Sequence, residues 1–160
     1  MATIYISIGS NIDPKLNIQY ALDDLRDAFD EIDCSGFYES KSVGFDGDNF
    51  INLVASAETD LNITEANDRL HQIEDQHGRD RSGPRFSSRT IDLDLLLYDD
   101  EVFEQGKLKI PRDEILINAF VLLPLSELAP ELKHPLTGKT YSELWQSFDQ
   151  DSQELWLIEV

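Results

Sequence analysis

With 160 residues, 41% of them hydrophobic and 28% charged, the chain has the make-up of one soluble globular domain with a proper core. Its net charge of −19 argues against nucleic acid or an anionic membrane as partner. Cys34 is the only cysteine, which rules out an internal disulfide or a cysteine-built zinc site and fits a reducing cytoplasm. No stretch resembles a signal peptide or approaches the length of a membrane span.

Thr3 to Gly9 alternates and is rich in β-branched residues, so it reads as a first strand. It runs into Gly9-Ser10-Asn11, read as a turn that brings backbone close to whatever lies at the strand's end. Asp13-Pro14 suggests a helix cap followed by proline at the first helical position. Ile18, Ala21, Leu22, Leu25, Ala28 and Phe29 then follow at helical spacing. Ile32 to Ser40 is expected to form a second strand and Phe50 to Thr59 a third, with Asn52 a polar insertion among apolar neighbours. Asn62 and Glu65 have the spacing of a capping box, opening a helix whose buried stripe is Ala66, Leu70, Ile73 and His77, with Gly78 ending it.

The next stretch carries the chemistry. Residues 79 to 89 hold four arginines and one aspartate in an otherwise acidic chain. From Ile91, apolar residues alternate with Asp92 and Asp94, so the two carboxylates share one face of a strand, with Cα atoms roughly 6.5–7 Å apart. Such a pair is costly unless cations lie beside it, and one or two Mg²⁺ ions would satisfy both. Guanidinium groups suit phosphate oxygens, so the combination points to a polyphosphate that arrives with magnesium. The plain alternative is a pair of solvated charges blunting a sheet edge, but Thr90 to Tyr98 reads as too apolar for an exposed edge. Beyond Asp100, Glu101 to Ile110 suggests a hairpin turning at Gln105-Gly106. Short helices are expected over 113–118 and 119–128, a last helix over 140–148 and a closing strand over 155–158. The order is α+β: a ferredoxin-like core, an antiparallel sheet with helices packed on it, and additional C-terminal helices, in a single domain over 1–160.

The ordered set Ile8-Gly9-Ser10-Asn11, Phe50-Ile51-Asn52, Ile73-Glu74 with Gly78-Arg79, and Arg89-Thr90-Ile91-Asp92-Leu93-Asp94-Leu95 resembles the 6-hydroxymethyl-7,8-dihydropterin pyrophosphokinases of folate biosynthesis. Phe120-Val121-Leu122-Leu123-Pro124-Leu125 followed by Leu128-Ala129-Pro130 is similar to the same family. The resemblance implies a cytoplasmic enzyme that moves pyrophosphate from MgATP to the pterin's hydroxymethyl group and releases AMP. Its partners would be those small molecules, with no nucleic acid or membrane, and a monomer is expected.

It also implies roles. Asp92 and Asp94 would hold two Mg²⁺ ions bridging the phosphates. Arg79 and Arg89 would neutralise the triphosphate, the loop between them closing as a lid that excludes water. His71, Glu74, Leu95, Lys107 and Arg112 would face the nucleotide. Phe50 and Phe120 would sandwich the pterin ring, Asn52 would hydrogen-bond its polar edge, and Ser40, Val43 and Gly44 would add groups from the preceding loop, with Asp92 at the border of both substrates.

The departures lie mostly on the phosphate side. The family's usual proline-histidine is Pro111-Arg112 here, its usual arginine is Asn118, and Phe86 with Ser87-Ser88 replaces the lid's tryptophan and Gly-Pro. Asp113 beside Arg112 is expected to offset part of that arginine's charge. In the pterin loop, Ser40-Lys41-Ser42 departs from the usual threonine and proline pattern. A diverged paralogue that binds pterin or nucleotide with little catalysis, and an unrelated Mg²⁺-dependent phosphohydrolase on the same fold, are the alternatives.

Overall fold

In the computed structural model, residues 1–29, 31–41, 48–77 and 90–159 are described. The first half runs β1 (Ala2–Ser10), α1 (Pro14–Phe29), β2 (Ile32–Cys34), β3 (Phe37–Ser40), β4 (Phe50–Thr59), α2 (Ile63–Gln76) and β5 (Asp92–Tyr98). The second half adds β6 (Phe103–Gln105), β7 (Leu108–Ile110), α3 (Glu114–Ile117), α4 (Ala119–Leu128), α5 (Tyr141–Ser147) and β8 (Leu155–Ile158). The strand order is β5-β1-β4-β3-β8, with β2 also paired to β4 and every pairing antiparallel. This is the α+β, ferredoxin-like arrangement expected from the order of elements.

Alternation along β1 builds the larger core. Ile4, Ile6 and Ile8 are fully buried against Ile18, Leu22 and Leu25 of α1 and Leu70 and Ile73 of α2. Each such side chain contributes roughly 1.5–3 kcal/mol on leaving water. The opposite face of the sheet is covered as well: Val54, Leu96 and Leu97 pack with Ile115, Val121, Leu122, Leu125 and Tyr141. The C-terminal helices therefore make a second layer. Among the described residues no helix is long and apolar enough to cross a membrane.

Three local expectations change. The strand expected over 32–40 breaks at Ser35-Gly36, where the Ser35 N–H donates to the Val54 carbonyl at 2.9 Å and the Val54 N–H donates to Ser35 Oγ at 3.0 Å. A hydroxyl thus replaces a ladder carbonyl, and the strand divides. Gly9 is a paired strand residue rather than part of a turn, because β1 continues through Ser10 opposite Ile51. His77 is only half-buried; its Nε2 lies 2.7 Å from Asp24 Oδ2, joining the end of α2 to α1. The Asn62–Glu65 capping box forms in both directions, and the hairpin turns at Gly106, whose φ is 61°.

β5 is nonetheless a terminal strand of the sheet. Its apolar composition is tolerated because its edge is covered. The Leu93 N–H donates to Glu74 Oε2 at 2.8 Å, and the Leu96 carbonyl accepts the Arg112 N–H at 3.1 Å. The register of β5 against β1 slips between Tyr5↔Leu97 and Ile6↔Leu95, leaving Leu96 as a bulged residue.

Candidate active site

Strand register places the chemistry-bearing residues. Asp92 pairs with Gly9, Gly9 with Asn52, and Asn52 with Tyr38, so the four form one row across β5, β1, β4 and β3. Directly opposed residues point to the same face. That face is the one covered by α4, since Leu93 and Leu95, on either side of Asp94, belong to the α1/α2 core. Asp92 and Asn52 are two strand spacings apart, roughly 9.5 Å. The next row is Asp94, Ser7 and Val54, so both carboxylates lie side by side on the face that carries Asn52.

Gly9 has a steric reason to be glycine. A Cβ there would come within 2.5 Å of Asn52 Oδ1, so the bare backbone lets the amide lie across the strand. Asn52 is buried, as an amide needs to be if it is to read a ring edge rather than water. On its other side Tyr38 is held through its hydroxyl by Glu127 Oε2 of α4, while Glu127 Oε1 takes the Gly36 N–H at 2.6 Å. Burial, this hydrogen bond and the Glu127 charge together push the Tyr38 phenol upward, so it stays a neutral donor. Glu127 fastens α4 to β3, and Phe120, seven residues earlier on α4, is thereby set over the same face of the sheet.

Ser10 and Asn11 tie the strand end to two distant segments. Ser10 Oγ donates to the Thr90 carbonyl, just after the arginine-rich stretch, and Asn11 Nδ2 donates to the Asp48 carbonyl at 3.3 Å. Both side chains are buried. The end of β1 thus anchors the chain beside both expected substrate loops.

At the carboxylate end, Arg112 Nη2 lies 3.4 Å from Asp94 Oδ1, and Arg112 Nε lies 3.2 Å from Glu114 Oε2. The second contact is close in distance but not aligned for a hydrogen bond, and Nε has no hydrogen-bond partner. Asp113 does not offset this arginine as expected: it turns away to Lys109 Nζ at 2.9 Å. Among the described residues no group of three or more His, Cys, Asp or Glu side chains converges as a metal site. Asp92 and Asp94 supply two hard oxygen donors, the number from which magnesium is commonly held when phosphates complete its shell.

A match to the 7,8-dihydro-6-hydroxymethylpterin-pyrophosphokinase family runs over residues 5–130. The chain belongs to this family. It is 37% identical over 149 residues to the 2-amino-4-hydroxy-6-hydroxymethyldihydropteridine pyrophosphokinase of Pseudomonas aeruginosa, covering 88% of each chain. It is 36% identical over 152 residues to that of Haemophilus influenzae, covering 92% of this chain and 94% of the relative. A crystal structure of Plasmodium falciparum HPPK-DHPS has the same fold, with a TM-score of 0.73 at 14% identity over 91% of this chain. This chain spans 43% of the length of that one.

Within the pyrophosphokinase fold, Asp92, Asp94 and Asn52 share one face of the sheet and Arg112 reaches Asp94, while Ser40 is buried opposite Phe50 at the start of β4. Phe120 is half-buried against the α4 layer. Glu74 is buried and spends one oxygen on Leu93, while His71, one turn earlier, is exposed. The Leu95 side chain is fully buried in the α1/α2 core, which leaves only its main chain for a ligand. Lys107 is exposed in the β6–β7 turn. Val43, Gly44, Gly78, Arg79, Phe86, Ser87, Ser88 and Arg89 lie outside the described residues. A cleft of about 490 Å³ opens beside Asn11, Asp13, Pro14, Glu39, Asp48 and Asn49. Among the described residues its lining carries three carboxylates, those of Asp13, Glu39 and Asp48.

Gly9, Tyr38 and Glu127 were not singled out from the sequence as site residues. Tyr38 could have been, since it lies two residues before Ser40 on the same strand face. Nothing local marks Glu127, whose partners lie 91 and 89 residues away.

Proposed function

We propose that this chain, as one domain, transfers the pyrophosphate of MgATP to 6-hydroxymethyl-7,8-dihydropterin, giving AMP and the pterin diphosphate for folate biosynthesis. The hydroxymethyl oxygen attacks the β-phosphorus and loses its proton as the new P–O bond forms. The bond from the β-phosphorus to the bridging oxygen breaks, and AMP leaves with that oxygen. The observation that carries this reading is the Asp92–Gly9–Asn52–Tyr38 row. It sets an amide able to read a flat polar ring on the same face as a carboxylate pair able to hold metal-bound phosphates.

Asn52 orients the ring by hydrogen bonds, and Phe50 and Phe120 supply its apolar walls. Asp92 and Asp94 would hold two Mg²⁺ ions, which when bound neutralise charge on the phosphates and polarise the β-phosphorus. The donor set fits this group: hard carboxylate oxygens, with the Arg112 guanidinium already resting on Asp94 as a cation would. Arg112, His71, Glu74, Lys107 and the Leu95 main chain would serve the nucleotide, with Arg79 and Arg89. Ser40, Val43 and Gly44 would serve the pterin. Small-molecule substrates and a cytoplasmic monomer suffice for this chemistry, without nucleic acid or membrane.

The test is to supply MgATP with and without the pterin and to measure AMP. Pterin-dependent AMP is the expected result. Binding without AMP, or ADP and phosphate formed regardless of pterin, overturns the assignment.

A further inference from the structure

Arg112 is pinned at both ends. Its N–H donates to the carbonyl of the bulged Leu96, two residues from Asp94 on β5. Its guanidinium then reaches Asp94 at 3.4 Å, with three-quarters of the side chain out of water. Yet the group is poorly satisfied there, because its buried Nε–H makes no hydrogen bond despite the nearby Glu114. A guanidinium offers a planar fork of donors, and the 3.4 Å contact to Asp94 with the unaligned 3.2 Å contact to Glu114 uses little of it. The partner it rests on is a carboxylate assigned above to magnesium. Two cations on one carboxylate repel each other, so a metal arriving at Asp94 weakens the arginine's hold.

We propose that Arg112 is an exchangeable counter-cation of the metal site: it covers Asp94 in the nucleotide-free protein and turns onto the triphosphate when metal and nucleotide enter together. The inference rests on the proposed metal role of Asp94. Its consequence is a coupling in the order of loading. Free metal competes with Arg112 and binds weakly, whereas metal carried on nucleotide supplies the phosphate oxygens that draw Arg112 away. Arg112 thus favours the metal–nucleotide complex over bare metal.

The test compares wild type with Arg112→Gln and Arg112→Lys, using Mn²⁺ as a paramagnetic probe of metal binding and calorimetric titration of MgATP without pterin. In Arg112→Gln, Mn²⁺ binding to the nucleotide-free protein should tighten by roughly five-fold or more while MgATP binding weakens by about ten-fold, within the usual range of site coupling. Arg112→Lys should keep Mn²⁺ binding near wild type, because the charge remains, and should weaken MgATP, because the fork is lost. Changes of opposite sign support the exchange; unchanged Mn²⁺ affinity, or both affinities moving together, overturns it. Asp94→Asn separates the two readings. If it loses Mn²⁺ binding while Arg112→Gln leaves that binding unchanged, only the exchange fails. If wild type and Asp94→Asn bind Mn²⁺ equally, the metal assignment itself fails.

Discussion

Gly9 and Asn52 face each other across β1 and β4, and a Cβ on Gly9 would lie 2.5 Å from Asn52 Oδ1. The close approach places the amide without disturbing the backbone, since the contact is to the end of a side chain. Gly9→Ala should therefore displace the Asn52 amide with little loss of stability. Pterin affinity should fall by about 1–3 kcal/mol, the cost of mispairing a buried polar group, and MgATP affinity should hardly change. Calorimetry with each substrate, beside a thermal melt, checks this; equal loss for both substrates contradicts it.

Phe50→Ala and Phe120→Ala should each weaken pterin binding by about 1–3 kcal/mol through lost stacking and apolar contact. Both side chains are half-buried. Unfolding of both variants under conditions where the wild type is stable would assign the two rings to the core instead.

Asn118 stands at the junction of α3 and α4, and its side chain makes no capping hydrogen bond. Gln153 fixes the junction from both sides, accepting the Ala119 N–H at 2.8 Å and donating to the Ile117 carbonyl at 2.8 Å. Asn118→Arg should thus be tolerated by the fold. It restores a charged fork where the family usually has arginine, so MgATP should bind more tightly by roughly 1.5–3 kcal/mol. Unchanged MgATP affinity in calorimetry would show that Arg112 alone meets that need.

His134 is buried, and its Nδ1 accepts the N–H groups of Leu136 and Thr137. Burial lowers its pKa below the ordinary value. The unfolded chain therefore binds the extra proton first. The stability from a neutral His134 is present above about pH 6.5 and is lost as pH falls below it. Urea unfolding at several pH values should show the wild type losing more stability on acidification than His134→Asn, which keeps an acceptor. Parallel profiles would contradict the assignment.

Much of the fold was legible because its signals are local. The isoleucines of β1 alternate, Asn62 and Glu65 cap each other, and Gly106 turns the hairpin. The carboxylate pair of β5 was legible for the same reason. What was not legible depends on partners far along the chain. Ser35 divides a strand only because Val54 supplies both a carbonyl and an N–H. The Leu96 bulge shows only against β1, and Asp113 proves harmless to Arg112 only once Lys109 is seen to take it. The C-terminal segment read as short additional helices, while in the structure α4 and α5 build a second packed layer on the other face of the sheet.

In the function proposed above, labour is divided across one face of the sheet: Asp92 and Asp94 would serve the metal-bound phosphates and Asn52 the pterin. The most direct measurement sets Asp94→Asn beside Asn52→Ala, recording pterin binding by calorimetry without nucleotide and AMP release with both substrates. The account predicts that Asp94→Asn abolishes AMP release while pterin binding largely survives. Asn52→Ala should lose pterin affinity and regain AMP release when pterin is raised. Full AMP release by Asp94→Asn, or unchanged pterin affinity in Asn52→Ala, would contradict it.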